Sequence, residues 1–190
     1  LLVVGTIPAA ALGIFVKKIL DDSTAERVRE MVFENPLVAG ICFPLTAALL
    51  WWATKRTEGE MNYQQLGYAD TLKIGMLQAL ALLPGISRSG ATIAGGLGVG
   101  LKRESAATFA FLLAIPAIAG GGLLQLIEAV QDGGSGTPLG TLAIGFVVAF
   151  AVGLGALVLL IQWIRQGRLA LFAYYLLPLG AAVIAWQLAA

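Results

Sequence analysis

The sequence predicts an all-α membrane protein, a polytopic helical bundle carrying one re-entrant helix-loop-helix hairpin at about residues 72–101. Three observations carry this. The 190 residues are 58% hydrophobic and only 12% charged, against about 25% charged in soluble domains. Long apolar runs recur, each of a length that crosses a bilayer core. One of them is broken in its middle by Leu82-Leu83-Pro84-Gly85-Ile86-Ser87-Arg88-Ser89-Gly90-Ala91-Thr92-Ile93. Residues 1–190 read as a single integral membrane domain.

Taken in order, Leu1–Leu20 is a span with Pro8 inside it, closed by Lys17 and Lys18. Asp21–Asn35 is a mixed-charge connector in which Val28, Met31, Val32 and Phe33 suggest a short surface helix. Pro36–Thr54 is the second span; Trp51 and Trp52 sit at its end where an aromatic belt belongs, before Lys55 and Arg56. After polar Thr57–Thr71 comes the broken segment, ended by Lys102 and Arg103. Ser105 resembles the N-cap of a long span reaching Val130, with Pro116 and Gly120-Gly121-Gly122 as points of bending. Gln131–Pro138 is a loop without a cation, and Leu139–Ile164 and Leu169–Leu188 are spans joined by Arg165-Gln166-Gly167-Arg168.

The cations test how the broken segment sits. If 72–101 crossed fully, the cations of 55–73 and of 102–103 would face opposite sides. If it dips in and returns, both join the 165–168 turn on the cytoplasmic side, as the positive-inside bias prefers. The first connector, which this topology puts outside, carries Arg27 and Arg29 among five acids. Gly96 and Gly100 form a GxxxG spacing, read as a close-packing face.

The break determines the chemistry. Pro84 removes a backbone donor and disfavours helix at Leu83, while Gly85 and Gly90 permit an irregular path. In hydrocarbon, freed backbone groups must be satisfied within protein or a polar cavity, and a mid-membrane arginine costs roughly 2.5–3.5 kcal/mol on insertion scales. Ser89-Gly90-Ala91-Thr92 opens a second half-helix, whose free N–H groups and dipole favour an anion. Arg88 adds a planar fork suited to phosphate or carboxylate, and Ser87, Ser89 and Thr92 add hydroxyls. The plainer alternative has Arg88 anchoring the loop through carbonyls while the hydroxyls cap helix ends. Gln78 either orients a phosphate, water or metal, or bonds a packed helix.

Much is excluded. The chain has no histidine, so it forms no Ser-His-Asp triad and no histidine-ligated metal site. Its single cysteine, Cys42, allows no internal disulfide and reads as a buried thiol. No basic run points to nucleic acid. Glu58, Glu60, Asp70, Glu104, Glu128 and Asp132 read as solvated or salt-bridged, and Trp163, Tyr174, Tyr175 and Trp186 as belt or packing residues. A phosphate transfer needs a base or nucleophile, and often a metal held by carboxylates; the broken loop itself carries none.

The stretch Gln78 through Ile93, with Gly5-Thr6-Ile7-Pro8-Ala9-Ala10 upstream and Phe109-Ala110-Phe111-Leu112-Leu113-Ala114-Ile115-Pro116-Ala117 downstream, resembles the bacterial undecaprenyl-diphosphate phosphatase family of the bacitracin-resistance type. The likeness spans nearly the whole chain. It implies two inverted repeats, each with a re-entrant hairpin, meeting at a midplane site. The implied activity removes the terminal phosphate of a polyprenyl diphosphate, recycling the lipid carrier of cell-wall synthesis. A divalent cation, magnesium or calcium, would assist, its ligands not in this chain. Arg88, Ser87 and Thr92 would be the catalytic residues, Ser89, Gly85, Gly90 and Gln78 would bind substrate, and no metal ligand is assigned here. The implied setting is the bacterial inner membrane, multi-pass, with the lipid as partner and a homodimer as one assembly open to it. A membrane transporter or carrier of an anionic lipid or small anion is the alternative, since broken half-helices facing an anion also describe transporter sites. The family's first signature, with paired glutamates, serine and histidine, has no counterpart here, so the chain resembles the carboxyl-terminal two-thirds of a member. Purified residues 1–190 are therefore expected to release no phosphate from a polyprenyl diphosphate, and measurable release would refute that expectation.

Overall fold

A computed structural model describes residues 1–18, 22–131 and 137–189, and the described residues are helical throughout apart from turns and one isolated bridge. Helices α1 (Leu2–Lys18) and α2 (Asp22–Val28), the latter continued by a π-helical turn at Arg29–Phe33, precede α3 (Pro36–Lys55). Then come α4 (Tyr68–Leu80), α5 (Arg88–Gly98), α6 (Arg103–Gln131), α7 (Leu139–Arg165) and α8 (Ala170–Ala189). Helices α3, α6, α7 and α8 are long and apolar enough to cross a membrane. The expected end of the first span at Leu20, and residues 132–136 of the expected cation-free loop, fall outside the described residues.

Local chemistry explains several boundaries. Asn35 caps α3, its side-chain oxygen accepting from the Leu37 N–H at 2.9 Å, and Pro36 occupies the first turn where no donor is needed. Ser105 does not cap α6 as its type suggested. The helix starts two residues earlier, where the Glu58 carboxylate accepts the Arg103 N–H at 3.1 Å and Ala106 N–H bonds Lys102 O at 2.8 Å. A carboxylate from another segment, invisible to local pattern, meets the positive helix end. The helix then runs unbroken through Pro116.

Helices α4 and α5 make the re-entrant hairpin. At 13 and 11 residues each is about 16–20 Å long, well short of a core about 30 Å thick. Its two ends are tied together: Met61 N–H bonds Gly100 O at 3.2 Å, and Lys102 N–H bonds Met61 O at 3.0 Å. The chain thus leaves the bundle beside the point where it entered. The three cationic stretches gather at that same end. Arg103 pairs with Glu58 at 3.8 Å, Arg165 pairs with Glu104, and the Arg103 guanidinium lies against Gly167. Lys55 and Arg56 lie over the rings of Trp51 and Trp52, 4.1 and 4.5 Å from their centroids.

Packing centres on the hairpin. Ile74 from α4, Ile93 and Leu97 from α5, and Phe109 and Leu113 from α6 form one buried cluster with Leu101, Ile164 and Leu169. Helix α1 closes on α4 where two glycines meet; a Cβ on Gly75 would lie 2.3 Å from the Gly5 carbonyl oxygen. The GxxxG expectation holds by half. Gly96 packs against Ala106 of α6, whereas Gly100 lies beyond the end of α5 with φ +94° and is a turn glycine.

The bundle contains an inverted duplication. In register, α1 and α7 share Gly5/Gly145, Ala9/Ala149, Ala11/Ala151 and Gly13/Gly153. Helices α3 and α8 share Ala39/Ala173, Pro44/Pro178, Leu45/Leu179, Ala47/Ala181, Ala48/Ala182 and Trp52/Trp186. Helices α3 and α8 pack antiparallel, with Gly40 against Ile184 and Gly180 against Pro44. The same sequence pattern therefore crosses the bundle in both directions.

The α1–α4 contact can be tested by filling it. In full-length protein in detergent, Gly75→Ala is expected to destabilise by about 1–3 kcal/mol, because the backbones must separate. Gly120→Ala, with open space around its Cα, should be neutral or slightly stabilising. Thermal unfolding of the two variants checks the contrast.

Candidate active site

The hairpin turn is built in steps. Helix α4 tapers through Ala81 N–H to Leu77 O, Leu82 N–H to Ala79 O and Leu83 N–H to Leu80 O, at 3.1–3.2 Å. Pro84 then ends the donor series. Gly85 has φ +88°, and a Cβ there would lie 2.5 Å from the Ala39 carbonyl oxygen of α3. Left-handed backbone and close approach together require glycine. Just beyond, the Thr46 hydroxyl of α3 donates to Gly85 O at 2.9 Å and accepts from Ser87 N–H at 3.3 Å.

Ser87 is the N-cap of α5: its Oγ accepts the Gly90 N–H at 3.1 Å, and its carbonyl accepts the Ala91 N–H at 2.8 Å. Of the four N–H groups that open a helix, those of Arg88 and Ser89 carry no partner among the described residues. The Arg88 guanidinium is half-buried and makes no ion pair or hydrogen bond with a described residue. Thus the positive end of the α5 dipole, two free amides and an uncompensated cation lie within one turn of chain.

The remaining expected site residues divide. Ser87, Ser89 and Gly90 line a cavity of about 190 Å³, whose other walls are Leu50, Ile93, Leu160, Leu169, Phe172, Leu176 and Tyr175. The two serine hydroxyl oxygens are 3.4 Å apart. Arg88 is not part of that lining. Thr92 is 2% exposed, and its hydroxyl donates back to Arg88 O at 2.9 Å; it holds the first turn of α5. Gln78 is 1% exposed at the α1–α4 contact, with Nε2 3.5 Å from Gly5 O and Oε1 lacking a partner. Gly85 is pressed against α3. Of seven expected residues, three share the cavity wall, Arg88, Thr92 and Gly85 shape or flank the turn, and Gln78 lies apart at the α1–α4 contact.

Sequence reasoning passed over two residues. Tyr175, read as a belt or packing residue, reaches the cavity wall. Thr46, in an apolar helix, carries no visible sign of its role, because a threonine there ordinarily bonds its own preceding turn. Thr6 and Thr54 do so, each at 2.8 Å.

The described residues do not fit a divalent cation. Among them no three His, Cys, Asp or Glu side chains cluster, and Glu58, Glu104 and Asp70 are engaged with Arg103, Arg165 and Lys73 at the cationic end. No step is assigned to a metal on this chain.

Comparison with known proteins places the chain. The family model described as bacitracin resistance protein BacA matches residues 1–182. A protein of Rhodopirellula baltica named undecaprenyl-diphosphatase is 42% identical over 97% of this chain and 68% of its own length. Proteins of the same name from Desulfosudis oleivorans and Carboxydothermus hydrogenoformans are 43% and 36% identical over 97% and 100% of this chain, and over 63% and 70% of their own lengths. The chain thus spans about two thirds of these relatives. A helical membrane bundle, a hairpin bearing Pro84-Gly85-Ile86-Ser87-Arg88-Ser89-Gly90, and a match running almost end to end lead to one assignment: the chain belongs to the bacitracin resistance protein BacA family.

Proposed function

We propose that this protein is an undecaprenyl-diphosphatase of the bacterial inner membrane, hydrolysing a polyprenyl diphosphate to the monophosphate and so recycling the lipid carrier of cell-wall synthesis. The observation that carries the reading is the start of α5, where a guanidinium and two amides, without a partner among the described residues, sit at the tip of a helical hairpin. Relatives sharing this hairpin bear the enzyme's name.

The substrate is an amphiphile, a diphosphate on an isoprenoid chain, and the site has both characters. Ser87 and Ser89 meet an otherwise apolar cavity wall. In the reaction, water adds to the terminal phosphorus, the bridging P–O bond breaks, and inorganic phosphate leaves the lipid monophosphate. The transition state spreads negative charge over the equatorial oxygens. The Arg88 fork and the Arg88 and Ser89 amides are the groups of this chain that stabilise it, in a water-poor site where fixed donors count for most. Ser89 donates a hydroxyl to the same oxygens. Ser87, committed as acceptor to Gly90 N–H and lacking an adjacent base, holds the helix start and does not attack. Thr92 serves the same end through its bond to Arg88 O. The divalent cation implied by the resemblance belongs to the proposal, and the described residues offer no cluster to hold it.

In full-length protein, Arg88→Ala is expected to lower kcat/KM for phosphate release from undecaprenyl diphosphate by about 10²–10³-fold, the range for loss of a preorganised donor. Arg88→Lys should recover little of it, because a point charge cannot replace the planar fork. Near-normal turnover in Arg88→Ala, or saturable flux of the lipid without phosphate release in the parent protein, would overturn the assignment.

A further inference from the structure

We infer that Thr46 of α3 is a positioning residue for the anion site, holding the hairpin turn in the register that leaves the Arg88 and Ser89 amides free. The inference rests on the diphosphatase reading for its kinetic part only. A chain break at membrane depth exposes backbone groups that lipid cannot satisfy. Among the groups so exposed are the Gly85 carbonyl and the Ser87 amide, on either side of Ile86. One hydroxyl meets both, as donor to the first at 2.9 Å and acceptor from the second at 3.3 Å.

Three further facts separate this from ordinary packing. Thr46 is 1% exposed, yet unlike Thr6, Thr54 and Thr92 its hydroxyl is not spent on the preceding turn of its own helix. Its partners lie 39 and 41 residues away in sequence, so the bonds join α3 to the turn and would be absent from an isolated helix. The internal duplication supplies a control: the matching position of α8 is Gly180, which packs against Pro44 and Gly40 and has no hydroxyl to offer. The helix pair alone does not call for threonine at this register; the hairpin does. Because Ser87 is the N-cap of α5, fixing its amide fixes where the helix begins and hence which N–H groups remain open to a ligand.

The test compares Thr46→Val, which keeps shape and removes the hydroxyl, with Thr46→Ser, which restores it, and with Thr54→Val as control. All are made in the full-length protein in nanodiscs. Thr46→Val is expected to lower kcat by about tenfold with KM little changed, as misalignment of transition-state donors does. It should also speed amide hydrogen exchange in the peptide containing residues 85–90. Thr46→Ser should return both values towards the parent, and Thr54→Val should leave both alone. If Thr46→Val does not yield folded protein, Thr46→Cys, with only a weak donor, takes its place against Thr46→Ser. Unchanged exchange and kcat in Thr46→Val, or a loss that Thr46→Ser fails to rescue, would overturn the inference. If the parent protein releases no phosphate at all, the diphosphatase reading falls instead, and the exchange measurement alone decides Thr46: faster exchange reversed by serine supports the positioning role, equal exchange refutes it.

Discussion

The structure depends on one constraint: a helix broken inside a bilayer must have its released backbone groups met by protein or turned to a polar cavity, never to lipid. A soluble loop would leave such groups to water. Here the turn between α4 and α5 is instead pressed onto α3, close enough that a Cβ at Gly85 would overlap the Ala39 carbonyl. Its free carbonyl and amide are met by Thr46, and the start of α5 is met by Ser87. Among the described residues the Arg88 and Ser89 amides and the Arg88 guanidinium, all at the start of α5, keep no partner. The groups that are costly to bury there are also the ones on which the proposed anion binding rests.

The same economy fixes the bundle around the hairpin. Two half-helices of 13 and 11 residues cannot bury an apolar stripe alone, so α1, α3 and α6 enclose them. Small residues allow this. Gly75 lets α4 meet the backbone of α1 at Gly5, and Gly96 lets α5 meet α6 at Ala106. Hydrophobic drive between helices is weak in lipid, so close backbone approach and polar bonds hold the elements together. Apolar and aromatic side chains face outward from α7 and α8; Phe146, Val152 and Tyr174 are more than 60% exposed.

Much of this was legible in the sequence because charge and composition act locally. The hairpin, its limits near 72–101, and the gathering of Lys/Arg stretches at one end follow from Pro84, the flanking apolar runs and Lys102-Arg103. The proposal of an anion site starts from Arg88 beside serines at a helix start. The roles of single side chains were less legible, since they depend on which helix lies opposite. Thr92 looks like a ligand group by type, yet its hydroxyl closes the first turn of its own helix. Ser105 looks like a cap, yet Glu58, 45 residues away, takes that place at Arg103. Gly100 fits a packing motif, yet α5 has already ended at Gly98. Of these, only the cap from Glu58 is a tertiary neighbour that no local pattern displays; Thr92 and Gly100 are decided by where α5 itself begins and ends.

The duplication sharpens that distinction. Where α1 repeats α7 and α3 repeats α8, most of the shared residues are the small ones that closely packed membrane helices need, glycine and alanine, with one proline, one leucine and one tryptophan pair beside them. The departures report the use. Thr46 bonds the turn where α8 has Gly180. An internal repeat therefore serves as its own reference: positions that agree are explained by packing symmetry, and a polar residue that breaks the agreement requires a partner found on one side only. In this chain that partner is the backbone of the hairpin turn, so a residue that shapes the candidate site lies in α3, outside the motif that draws attention to it.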